Sequence, residues 1–160
     1  MSGKRKIGKV EIEMCFLLYA GTSKKMPLKE WRSEAPDVCV KSLTEYESAI
    51  KAHFTQPEVQ YIGSASGCGC DFPNIMYQNG DWPDFNLDDD DHEKEARERK
   101  NCEALAALLH STGEQMVELY GVWDGDFAEA PQAREEISVQ ALTQPDFKFK
   151  ERGFYSVSLR

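Results

Sequence analysis

The longest helix-forming stretch of this chain covers residues 88–110, and it interrupts a series of much shorter apolar runs. Cys102, Leu105, Ala106 and Leu109 recur there at the spacing of one buried helix stripe. The acidic residues 88–91 suit the positive end of the helix dipole, and His110 suits the negative end. Glu93/Arg97 and Glu95/Arg99 stand in the favourable i,i+4 order, each worth about 0.3 kcal/mol, and Gly113 is placed to stop the helix.

The remaining runs have strand character. Residues 10–20 alternate at first, with Val10, Ile12 and Met14 set against Glu11 and Glu13, and then become continuously apolar. That pattern predicts one strand entering a sheet from its solvent edge. Further strands are expected at 38–40, 59–64, 116–123, 137–142 and 147–159, the last with Gly153 at a bulge. Between the first of these, Ser42-Leu43-Thr44-Glu45 has the form of a capping box. Tyr46, Ile50 and Phe54 then fall on one face of a helix that Pro57 ends. Residues 24–36 read as a loop, with Leu28 and Trp31 anchoring it over the core.

This order predicts an α+β fold: a mostly antiparallel or mixed sheet with two main helices packed on one face. No linker or internal repeat divides the 160 residues, so a single domain is expected over 10–160, behind a flexible basic arm at 1–9 carrying Lys4, Arg5, Lys6 and Lys9. A formal net charge of −9 argues against nucleic acid as a general partner, since phosphate contacts need a Lys/Arg surface. The apolar run at 14–20 is far too short to span a bilayer, so no membrane association is expected. Five irregularly spaced cysteines suit reduced thiols and a cytoplasmic location.

Chemistry concentrates in one place, the stretch Gly63-Ser64-Ala65-Ser66-Gly67-Cys68-Gly69-Cys70-Asp71-Phe72 after a strand. Glycine at 63, 67 and 69 permits positive φ, and the amides of such a loop can converge into an anion nest. Three readings stand open. In the first, Cys68 and Cys70 are soft ligands for a metal ion such as zinc, with Gly67 and Gly69 shaping the loop and Asp71 orienting the bound group. The chain has no second Cys-x-x-Cys or paired histidines to complete a zinc site, so further ligands would come from distant residues such as Cys15, Cys39, His53 or His110. In the second, Cys68 or Cys70 is a redox or nucleophilic thiol, although no helix-start Cys-x-x-Cys is present. In the third, the loop is a tight turn whose small thiols pack inward. A protein partner would then meet a surface such as Trp82-Pro83.

Other patterns fail on spacing. The aspartates at 81, 84 and 88–91 lack the order of a calcium loop, and the phosphate-loop and dinucleotide-binding fingerprints are absent. Met14-Cys15-Phe16, Tyr61-Ile62-Gly63-Ser64 ahead of the cysteine loop, Glu118-Leu119-Tyr120-Gly121 and the segments 147–152 and 154–157 together resemble an uncharacterised bacterial protein family. The resemblance extends over most of the chain. It implies one intact domain and an important cysteine loop, and it implies no activity.

Overall fold

Alternating apolar residues in short strands force a sheet whose two faces must both be covered, and the structure covers them differently. The computed structural model describes residues 3–7, 10–75 and 90–160. Its centre is a six-stranded sheet in the order β4-β5-β3-β7-β10-β8, made of β3 (Phe16–Thr22), β4 (Cys39–Ser42), β5 (Glu58–Gly63), β7 (Met116–Trp123), β8 (Ala133–Ser138) and β10 (Gly153–Ser158). Every neighbouring pair is antiparallel except β8 and β10, which run parallel. The α+β class with a mixed sheet is therefore as expected.

Residues 10–20 do not form one strand. They divide into β2 (Val10–Met14), which pairs with β1 (Gly3–Ile7) inside the segment expected to be a flexible arm, and β3 in the main sheet. A small parallel pair joins β6 (Asn74–Ile75) to β9 (Phe149–Lys150). The expected strand at 137–142 is displaced: β8 ends at Ser138, and Val139–Thr143 winds into a short 3₁₀ helix that buries Val139 and Leu142. Gly153 opens β10 rather than bulging it, and the preceding Arg152 takes the positive φ of the turn.

The helix α1 (Asp90–Ser111) buries the expected stripe of Cys102, Leu105, Ala106 and Leu109, and it stops at Gly113, whose φ is +68°. Leu105, Ala106 and Leu109 pack with Phe16, Leu18 and Ala20 on one face of the sheet. The alternate residues of β3, Leu17 and Tyr19, face a second cluster with Tyr61, Tyr120, Phe127 and Ile50. Ile50 belongs to the other helix, so the two helices take opposite faces instead of sharing one.

That other helix, Glu45–His53, is 3₁₀ throughout rather than α. Its N-cap is Thr44, not Ser42, and the Glu47 carboxylate accepts from the Thr44 amide at 3.2 Å and hydroxyl at 2.9 Å. With three residues per turn, side chains four apart no longer align. Ile50 is fully buried while Tyr46 is 68% exposed, its ring edge-on to Phe127. Leu28 and Trp31 are exposed too, at 56% and 37%, so neither anchors the 24–36 loop over the core. Asn79-Gly80, Trp82-Pro83 and the aspartates at 81, 84, 88 and 89 lie outside the described residues.

Candidate functional site

β5 delivers the chain into the cysteine loop at the edge of β4, where Cys39 pairs with Gly63. The loop then folds back on itself. The Cys68 carbonyl accepts from the Ser64 amide at 2.7 Å and from the Ser64 hydroxyl, and the Gly67 amide donates to the Ser64 carbonyl at 2.9 Å. Ser64 is itself buried, so this turn is held from inside the fold.

Each glycine has a separate reason for its place. Gly67 has φ +90° and lies beneath the Trp31 ring, whose nearest atom would be 3.4 Å from an added Cβ. Gly69 lies so close to β3 that an added Cβ would sit 2.3 Å from the Phe16 carbonyl oxygen. The expected positive φ is thus found at Gly67 alone of the three. Gly63 is needed for contact, since a Cβ there would meet the Cys39 sulfur at 2.5 Å.

Two tethers fix the loop to the rest of the fold. The Asn101 side chain of α1 accepts from the Ala65 amide at 2.9 Å and donates to the Asp71 carbonyl at 3.2 Å and the Arg97 carbonyl at 2.9 Å. The Trp31 indole N–H donates to the Ala65 carbonyl at 2.8 Å. Asn101 and Trp31 carry no motif that sequence reading could have used. Their only signals were a polar residue beside the apolar stripe of α1 and an aromatic residue in a loop.

Within this frame Cys68 and Cys70 are both half-buried thiols, not joined to each other. The Cys70 amide points at the Cys68 sulfur from 3.4 Å, and the Ser66 hydroxyl lies 3.6 Å from the same sulfur. The Cys70 S–H is a further donor to Cys68, and it is the largest of the influences that hold Cys68 well below the ordinary thiol value. Cys70 moves the opposite way. The neighbouring Cys68 thiol raises it most and burial adds to the shift, while the Phe16 amide opposes it. The two shifts run in opposite directions, so the thiolate form is favoured at Cys68 over Cys70.

The surroundings are less ionisable. Burial raises Cys39, whose sulfur lies against Gly63, and pushes Cys102 up to about 12. Burial also raises Tyr61, and the fields of Cys39, Cys68 and Cys70 add to it. Asp71 contributes its backbone carbonyl to Asn101 and is half-buried.

Other predicted participants are elsewhere. The ring of His53 contacts the Phe127 carbonyl at 2.9 Å, and His110 is exposed at the end of α1. Among the described residues, no group of three or more His, Cys, Asp or Glu side chains is placed to hold a metal ion. The amides of Ser64, Ala65, Ser66 and Gly67 are all engaged within the protein, so they do not form an anion nest. No helix among the described residues is long and apolar enough to cross a membrane.

Comparisons with protein-family models, with curated proteins and with solved structures return no match. The chemistry of the loop is accordingly read from its own geometry.

Proposed function

We propose that the protein is a thiol–disulfide exchange catalyst in which Cys68 is the nucleophile and Cys70 its proton partner and resolving thiol. The observation that carries this reading is the Cys70 amide aimed at the Cys68 sulfur from 3.4 Å, with the Ser66 hydroxyl 3.6 Å from the same sulfur. A thiolate, not a thiol, attacks a disulfide, and donors aimed at sulfur favour that form. Zinc or another soft metal at Cys68 and Cys70 is less well supported, because no third ligand group stands beside them among the described residues.

The substrate class is a disulfide, R–S–S–R′. The Cys68 thiolate attacks one sulfur, forming the Cys68–S–S–R mixed disulfide and expelling R′S⁻, which takes the proton from the Cys70 thiol. The Cys70 thiolate then attacks the Cys68 sulfur, closing a Cys68–Cys70 disulfide and releasing RS⁻. The substrate disulfide gains two electrons and the protein dithiol loses them, and a second dithiol reduces the Cys68–Cys70 disulfide by the reverse exchange for the next turnover.

Incubating the reduced protein with a small dialkyl disulfide tests this by intact-mass and peptide mass spectrometry. The wild type is expected to lose two hydrogens and yield a Cys68–Cys70 linked peptide. Cys70→Ala is expected to stop at the mixed disulfide on Cys68. Failure of Cys68 to react faster than the buried Cys39 would overturn the proposal.

A further inference from the structure

The loop that holds the two thiols has no regular secondary structure of its own, so something outside it must fix their relative position. Asn101 is 4% exposed and sits on α1 directly before the buried Cys102, ahead of the turns that bury Leu105 and Leu109. Its side-chain oxygen takes the amide of Ala65, three residues before Cys68, and its side-chain nitrogen takes the carbonyl of Asp71, directly after Cys70. One side chain thereby grips the loop on both sides of the dithiol, while its bond to the Arg97 carbonyl fixes the amide plane. Trp31 holds the opposite edge of the same residue, donating its indole N–H to the Ala65 carbonyl while its ring covers Gly67.

We infer that Asn101, assisted by Trp31, is the positioning residue of the dithiol: it ties the loop to α1 so that Cys70 is held as a donor to Cys68. This rests on the reading of Cys68 as the attacking thiol. Neither Asn101 nor Trp31 touches either sulfur in the hydrogen bonds seen, so each acts through the backbone of the loop. Gly69 supplies the third fixed point, because its close approach to the Phe16 carbonyl presses the same loop onto the first residue of β3. With the loop held at Ala65, Gly69 and Asp71, the two intervening cysteines have little freedom to separate.

The test compares wild type, Asn101→Leu and Trp31→Phe as full-length reduced proteins. Two quantities are read: the ratio of Cys68 to Cys70 alkylation by iodoacetamide, resolved by peptide mass spectrometry, and the midpoint potential of the Cys68–Cys70 couple in a dithiothreitol redox buffer. Asn101→Leu removes three hydrogen bonds at similar volume, and Trp31→Phe removes one from an exposed position while keeping a ring over Gly67. The expected result is a wild-type ratio strongly in favour of Cys68, reduced about tenfold by Asn101→Leu and about threefold by Trp31→Phe, with a shifted potential in both.

A purely structural role would lower the unfolding midpoint without changing the ratio in the folded population. A wild-type preference for Cys68 that both variants retain would overturn the clamp and leave the thiolate reading intact. Equal labelling of the two cysteines in the wild type would overturn the reading itself, and the clamp with it. Should Asn101→Leu not fold, the decision passes to Trp31→Phe, for which an unchanged ratio and an unchanged potential count against the clamp.

Discussion

The backbone amide of Cys70 lies 3.4 Å from the sulfur of Cys68. The second cysteine thus turns its N–H back on the first, its thiol adds to the lowering of Cys68, and the intervening Gly69 makes that return possible. A side chain at 69 would collide with the Phe16 carbonyl and lift the loop away from β3.

Selective alkylation follows from this arrangement. Cys68 is expected to label fastest in the folded reduced protein, with Cys39 and Cys102 slowest because burial raises both. Below the ordinary thiol value of about 8.5, a thiol of unperturbed pKa is mostly protonated while Cys68 is still a thiolate. Its advantage is therefore largest at neutral and mildly acidic pH and shrinks above about 8.5. Cys70→Ala removes the S–H donor, and the neutral-pH rate at Cys68 should fall about tenfold. Rate–pH profiles for each cysteine-containing peptide measure both effects.

The two loop glycines should fail in different ways. Gly67→Ala forces a Cβ into φ +90° but meets the Trp31 ring only at ordinary van der Waals distance, so a loss of about 1 kcal/mol is expected with the dithiol otherwise intact. Gly69→Ala places its Cβ 2.3 Å from a backbone oxygen, which cannot rotate away. That substitution should cost about 2 kcal/mol or more and also abolish the preference for Cys68. Urea denaturation with parallel labelling separates the two, and equal behaviour of the variants would contradict the packing argument.

Much of this was legible in the sequence, and the gaps have physical causes. The period of Cys102, Leu105, Ala106 and Leu109 located α1 because a single buried stripe leaves a clear signature. The helix after Ser42 departs from its α expectation because Tyr46, Ile50 and Phe54 match an α period by spacing, yet Thr44 and Glu47 start a 3₁₀ helix that cannot align them. The segment 137–142 contains a strand end and a 3₁₀ turn that both bury apolar residues, and composition does not separate them. In the loop, the cysteines and glycines announced themselves. Asn101 did not, because its partners are backbone groups 30 and 36 residues away.

Glu118 offers a test remote from the loop. It is a buried carboxylate on β7 that accepts from the Thr55 amide at 2.9 Å, the Thr55 hydroxyl at 2.8 Å and the Gln56 amide at 2.9 Å. This one side chain closes the chain between the 3₁₀ helix and β5. Glu118→Ala leaves those donors without their acceptor and should destabilise by about 2–3 kcal/mol. Glu118→Gln keeps an acceptor oxygen and should lose less. Urea midpoints at constant m-value measure the difference, and an alanine variant as stable as wild type would mean that water replaces the carboxylate.

Alkali should unfold the protein cooperatively, because its aromatic core buries phenols. Burial pushes Tyr120 and Tyr155 up to about 12, and Tyr19 and Tyr61 are raised further, Tyr19 with the help of its hydrogen bond to Glu47. Each of these groups holds its proton more tightly when folded than when unfolded. Their contribution is complete below the unfolded value of about 10 and is lost as pH rises toward the folded values. Cys102 acts in the same sense from about 8.5 upward. Cys68 acts oppositely: its lowered value stabilises the reduced fold above about 8.5, and that contribution disappears as pH falls through the folded value, reduced in size by the partial exposure of the thiol. The urea midpoint should therefore decline above about pH 9. Tyrosinate absorbance from the four buried rings should appear together with the loss of folded structure, after that of the exposed Tyr46. A gradual titration of those rings in a protein that stays folded would show that the core admits hydroxide, contrary to the packing around Tyr19 and Tyr120.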